Sequence, residues 1–170
     1  MIIAGDSYST GGQCAHPSSW TQHIRQLNDC TIILERGYSN FDILQRLEDH
    51  SPQRAIISLT HLHRVPNKDR NDGKRNAAVT KLNIKAANHI VNTWTDAYIW
   101  SSFPHYEDWP GIHYMPLYKE NELWDPDTGV VGEFADHDDQ RYVAHHLTHE
   151  GNIQLFNCIV NTKGKSWVQD

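Results

Sequence analysis

Gly5-Asp6-Ser7-Tyr8-Ser9 stands directly after the first apolar run of the chain, and its residue types suit a nucleophile. Gly5 permits a tight turn, Asp6 can cap or brace it, and Ser7 is then presented beside backbone N–H donors where the next element opens. The same triplet also suits an ordinary turn with a helix cap. Gly37, in Arg36-Gly37-Tyr38-Ser39-Asn40, lets the backbone approach a ligand closely and leaves an N–H to donate to a developing negative oxygen. Far downstream, Ala144-His145-His146-Leu147-Thr148-His149-Glu150-Gly151-Asn152 supplies imidazoles. One of them can act as general base toward the serine and then protonate the leaving group.

Such groups need a scaffold, and the chain alternates short apolar runs with helical spacings. Met1 to Ala4, Thr31 to Leu34, Ala55 to Leu59 and Ala97 to Trp100 read as buried parallel strands. Between them, Trp20, Ile24 and Leu27 mark one helix, Phe41, Leu44 and Leu47 a second, and Ala77 to Val91 a third. Asn40 is a candidate cap for the second helix, and Pro52 marks its end. A last helix is expected from Glu150 or Gly151 to Val160, with Ile153, Phe156, Cys158 and Ile159 partly inward. The β-α order predicts right-handed crossovers and an α/β fold: a three-layer α/β/α sandwich around a mostly parallel, flavodoxin-like sheet. A cleft is expected outside the carboxyl ends of the strands.

On these residues the chain resembles the SGNH, or GDSL, hydrolase family. The matching pieces are the GDSYS block after the first strand, the glycine of RGYSN after the second, and a late His-Leu-Thr-x-x-Gly segment leading into the final helix. The resemblance implies Ser7 as nucleophile, with its own N–H and that of Gly37 as oxyanion donors. It implies His146 as general base, with His149 in reserve about one helical turn away. The implied activity is a serine esterase working through an acyl-enzyme without a cofactor or metal. Its substrate is a small-molecule or glycan ester, O-acyl groups on a carbohydrate being one candidate class.

Two departures from the family pattern stand out. The family supplies an oxyanion-hole Asn after the third strand in a Gly-x-Asn-Asp setting, whereas here the strand runs into Ser58-Leu59-Thr60-His61-Leu62-His63-Arg64. Thr60 or His61 is left to donate, and losing one such donor costs about 2.7–4 kcal/mol of transition-state stabilisation. Asn71-Asp72-Gly73 lies well past the strand and reads as an exposed turn. The family also places an Asp three residues before the catalytic His, where this chain has Val143. Asp136, Asp138 or Asp139 can serve instead, or a backbone carbonyl orients the base and leaves a Ser-His dyad. Where a mechanism depends on that carboxylate, its removal costs about 10⁴ in rate.

Two other readings follow from these gaps. One is a non-catalytic domain of the same fold that binds a glycan or a protein. The other is a metal-dependent hydrolase using His61 and His63, two apart on a strand end, with His145, His146 and His149. Trp124-Asp125-Pro126-Asp127-Thr128-Gly129 lacks the further ligands of a calcium loop and reads as a turn.

Composition bounds the rest. A chain of 170 residues with 38% hydrophobic residues suits a single domain, 1–170. A net charge of −6 with scattered basic residues disfavours nucleic acid as a partner. A mean hydropathy of −0.65 and the absence of a long apolar run exclude a spanning helix. The start, MIIAGDS, lacks the features of a secretory signal, so a cytoplasmic location is expected. Cys14, Cys30 and Cys158 show no CxxC spacing, against both a disulfide framework and a thiolate metal site. Nine aromatics lie between Trp94 and Trp124. Tyr98 and Trp100 are expected in the core, whereas the Pro-interrupted stretch at about 101–140 reads as an insertion across the cleft mouth.

Overall fold

The computed structural model describes residues 1–5, 20–34, 38–64, 66, 77–115 and 149–169. Each apolar run expected as a strand is one: β1 (Ile2–Gly5), β2 (Thr31–Leu34), β3 (Ala55–Ser58) and β4 (Tyr98–Ser101). A fifth, β5 (His113–Tyr114), closes one edge. All pairings are parallel, in the order β2-β1-β3-β4-β5. The register sets Ile3 beside Ile32 and Ile56, and Ile57 beside Ile99. Every residue of β1, β3 and β4 is buried, as strands covered on both faces must be.

The helices form where local chemistry favours them. In α1 (Trp20–Leu27), Trp20, Thr21 and Ile24 share a buried face. The second helix, α2 (Asn40–His50), starts at a capping box. Ser39 Oγ accepts from the Asp42 N–H at 3.2 Å, and the Asp42 carboxylate accepts from the Ser39 N–H at 2.8 Å. Ser39 is therefore the cap, one residue before the expected Asn40, because only a residue three before Asp42 can make this reciprocal pair. Ser51 ends α2 in the left-handed conformation (φ 43°), its N–H on the Leu47 carbonyl at 2.8 Å, and Pro52 follows.

Beyond α3 (Ala77–Thr93), α4 (His149–Lys163) runs longer than expected, and Gly164 at φ 88° turns the chain into α5 (Lys165–Gln169). The inward face of α4 carries Asn152, Leu155 and Ile159, whereas Ile153 is 37% exposed, contrary to expectation. The inward residues are three and four apart, which leaves position 153 about 100° off the stripe. One layer consists of α1, α4 and α5, and the other of α2 packed on α3. The sheet between them contributes the largest block of core: Ile3, Ile56, Ile57, Ile99 and Trp100, with Trp20 edge-on to Trp100. No helix among the described residues is long and apolar enough to cross a membrane.

Candidate active site at the carboxyl edge of the sheet

In this strand order the chain leaves β1 toward β2 on one side and leaves β3 toward β4 on the other. The sheet therefore has its topological switch between β1 and β3, and a crevice opens outside their carboxyl ends. Gly5 ends one strand and Ser58 the other.

The expected nucleophile Ser7, Gly37, His145, His146, and Asp136, Asp138 and Asp139 lie outside the described residues. His149 is the first residue of α4. Thr60 and His61 follow β3 directly and are described in full.

The segment after β3 is fastened from three elements. Leu59 continues the ladder through its N–H to the Trp100 carbonyl at 2.9 Å, and Ser101 Oγ donates to the Leu59 carbonyl at 3.0 Å. Asn40, wholly buried in the first turn of α2, clamps the next residue. Its Oδ1 accepts from the Thr60 N–H at 2.9 Å, while its Nδ2 donates to the Thr60 carbonyl at 3.2 Å and to Tyr106 Oη at 2.6 Å. Tyr106 Oη in turn donates to the Thr60 carbonyl at 3.0 Å. From α3, Asn83 Nδ2 donates to the carbonyls of Leu62 and Arg64, each at 2.8 Å, and its Oδ1 accepts from the Phe41 N–H at 3.3 Å. Buried amides with two donors and an acceptor are well suited to hold irregular backbone.

This clamp limits what Thr60 can do. Its backbone N–H points to Asn40 and not into a site. Its hydroxyl is enclosed, with no hydrogen-bond partner among the described residues.

His61 and His63 sit in a turn, not on a strand, because β3 stops at Ser58. The shared strand face expected of them as metal ligands is absent: their rings are tilted at 48°, with centroids 4.9 Å apart, and His63 Nδ1 pairs with Thr80 Oγ1 at 2.6 Å. No group of three metal-ligating side chains is found among the described residues. The His61 ring is instead walled by aromatics, edge-on to Phe103 at 5.2 Å and to His105 at 4.8 Å. His105 stacks on Phe103, and its Nε2 is buried without a hydrogen-bond partner among the described residues. Burial first, and the His63 charge second, push the His105 imidazole down to about 4. The wall around His61 is therefore uncharged near neutral pH.

A contact on the other side of the sheet joins the two remote segments that flank the expected nucleophile and base. The Trp20 N–H, at the start of α1, donates to Asn152 Oδ1, in the first turn of α4, at 2.9 Å. Both residues are buried.

Sequence reasoning treated Asn40 as a cap and passed over Asn83, Tyr106 and His105. For Asn83 a signal existed: it shares a helical stripe with Ala86, Ala87 and Ile90, where an amide has no reason to be unless it bonds something. Tyr106 and His105 carried no comparable signal within the aromatic-rich stretch. Of that stretch, Trp94, Tyr98, Trp100, Phe103 and Tyr106 all pack into the core.

No family model and no curated protein matches the sequence. Among solved structures, the fold is similar to that of a protein assigned to the G-D-S-L family of lipolytic proteins from Desulfitobacterium hafniense DCB-2. The likeness has a TM-score of 0.51 at 15% identity, over 94% of this chain and 97% of that one. The shared property is the α/β sandwich itself.

Proposed function

We propose that this chain is a serine ester hydrolase built on the GDSL-type fold. Ser7 is the nucleophile, His146 the general base, and the N–H groups of Ser7 and Gly37 are oxyanion donors. Ser7 Oγ adds to the ester carbonyl while an imidazole nitrogen of His146 takes its proton. The tetrahedral oxyanion collapses with departure of the alcohol, protonated by His146. Water, deprotonated by the same ring, then attacks the acyl-enzyme, and Ser7 recovers its proton as the acid leaves. Small acyl esters, including O-acyl groups on a carbohydrate, are the substrate class.

The observation that carries this reading is the Trp20–Asn152 hydrogen bond. The segment bearing Ser7 ends at Trp20, and the segment bearing His146 ends where α4 begins. A buried contact between the first turns of α1 and α4 brings together the two elements that follow these segments in the chain, which supports a shared site for Ser7 and His146. The switch point between β1 and β3 supports the same location, since Gly5 precedes Ser7 by two residues.

The test is labelling of the folded protein with a fluorophosphonate probe, alongside hydrolysis of p-nitrophenyl acetate. The expected result is a single adduct on Ser7, with labelling and turnover lost in Ser7→Ala and turnover falling as pH drops through the ordinary imidazole range. A folded protein that takes no label and cleaves no ester from a broad panel, yet binds a glycan equally well with or without the Ser7 hydroxyl, is a binding domain and not an enzyme.

A further inference from the structure

We propose that the cavity at the β5 edge of the sheet is a second binding site, which takes an uncharged planar heteroaromatic ring of the purine nucleoside class stacked on His113. The cavity holds about 600 Å³, within the about 300–1,000 Å³ of small-molecule sites. Tyr98 on β4, His113 on β5 and Glu107 between them face Cys158, Asn161 and Thr162 in the last turns of α4. Lys163, which ends that helix, donates to the Asp96 carbonyl at 2.7 Å, just ahead of β4. This end of α4 therefore lies by the amino ends of the strands, whereas the switch-point crevice lies outside their carboxyl ends. The site stands apart from the ester-hydrolase reading and does not depend on it.

The first support is a stack with one side open. The Tyr98 and His113 rings lie within 3° of parallel with centroids 4.3 Å apart. Nothing fits between rings at that spacing, so a further ring joins from outside. Tyr98 is only 2% exposed, whereas His113 is exposed, and no ring among the described residues covers its other face. Burial first, and the Lys163 charge second, hold the His113 imidazole below its ordinary range, so the platform is an uncharged aromatic face near neutral pH. Flat heterocycles stack on such faces, and a saccharide ring has no flat π-face with which to continue the pair.

The second is a set of polar groups without partners. Tyr98 lines the cavity and is almost wholly buried, yet its hydroxyl has no hydrogen-bond partner among the described residues. Burial first, and Cys158 second, push its phenol up, so it keeps its proton and can donate. A buried hydroxyl left unpaired is costly, and an acceptor on a ligand relieves that cost. The His113 ring nitrogens and the Asn161 amide also have no hydrogen-bond partner among the described residues. A purine edge offers both bare ring nitrogens and N–H groups, which matches a phenol donor, an amide that does both, and a carboxylate acceptor.

The third is charge. Among the described residues that line the cavity, Glu107 alone is charged near neutral pH. The nearby cation, Lys163, is already held by the Asp96 carbonyl and by its carboxylate at 3.4 Å. A carboxylate without a cation accepts from an exocyclic amine and repels a phosphate, so the nucleoside is favoured over the nucleotide.

The experiment is calorimetric titration of the full chain with adenosine, adenosine 5′-monophosphate and methyl α-glucoside. Adenosine should bind saturably with Kd below about 1 mM, the monophosphate at least about fivefold more weakly, and the glucoside not at all. His113→Ala should weaken adenosine binding about 5–150-fold, and His113→Phe, which keeps a face to stack on, should stay within about threefold of wild type. Tyr98→Phe should weaken it about 2–10-fold. Ser7→Ala should bind as wild type does, whatever its effect on ester hydrolysis. Circular dichroism and melting temperature report folding of each variant. No saturable adenosine binding, or tighter binding of the monophosphate or the glucoside, overturns the proposal. So does wild-type affinity in His113→Ala or, where that variant does not fold, in Tyr98→Phe.

Discussion

The Trp20 N–H and the Asn152 side-chain carbonyl meet at 2.9 Å across 132 residues of sequence. The first amides of a helix have no partner within it, and Trp20 is completely buried, so water cannot substitute for Asn152. The last helix thus closes the start of the first.

Replacing Asn152 by Leu keeps the branching of the side chain and removes the acceptor that the Trp20 amide has in Asn152. The expected loss is about 1–3 kcal/mol of unfolding free energy, read from urea titration, with a matching drop in fluorophosphonate labelling. Asn152→Asp, which keeps an acceptor, should recover part of both. Unchanged stability in the Leu variant would mean that the Trp20 amide has another partner of equal worth.

The clamp on Thr60 predicts unequal single effects and a coupled pair. Tyr106→Phe removes one hydroxyl and leaves Asn40 on the Thr60 carbonyl, so it should cost about 0.5–1.5 kcal/mol. Asn40→Leu strips partners from both the Thr60 amide and its carbonyl and should cost more, about 2–4 kcal/mol. A double-mutant cycle should show a coupling of at least about 0.5 kcal/mol, since Asn40 and Tyr106 also bond each other at 2.6 Å. Strict additivity would dissolve the clamp into two independent contacts.

Acid should weaken the fold before the carboxylates titrate. In the unfolded chain His105 takes a proton near its ordinary 6.5, whereas in the folded chain burial keeps the ring neutral down to about 4. Over that interval the unfolded state binds more protons, so stability present above about pH 6.5 is lost as pH falls toward about 4. The ring is only partly buried, which brings the expected contribution to about 2 kcal/mol. Burial, with the Lys163 charge second, lowers His113 in the same direction. Thermal unfolding at pH 7 and pH 4.5 should therefore show a smaller drop in His105→Phe than in wild type. Equal drops in the two proteins would remove His105 from this account.

The capping box of α2 predicts a local effect with no catalytic signature. Ser39→Ala removes the side-chain acceptor for the Asp42 amide and should cost about 0.5–2 kcal/mol. Ser39→Gly should cost only a few tenths of a kcal/mol. Both should leave KM unchanged. A large rise in KM would place Ser39 against substrate.

The layers were readable in the chain because burial on both faces selects short β-branched runs, and Ile2–Gly5, Ala55–Ser58 and Tyr98–Ser101 satisfy that rule locally. The capping box was readable too: Ser39 and Asp42 stand at the required spacing, although the neighbouring Asn40 competes for the same reading. The strand His113–Tyr114 was not, since two residues are too short to show a pattern and pair only because β4 presents an edge.

Sequence by itself determined the alternation of strands and helices, and it set a serine after the first strand, a glycine after the second and histidines before the last helix. Tertiary structure alone decided that Asn40 grips Thr60 rather than capping its helix, that Tyr106 joins the grip, and that the His63 amide meets the His61 ring. The physical reason is range. A strand or a cap depends on neighbours within a few residues, while the direction of a buried amide depends on which polar groups lie beside it, here a backbone carbonyl 20 positions away and a tyrosine hydroxyl 66 positions away along the chain.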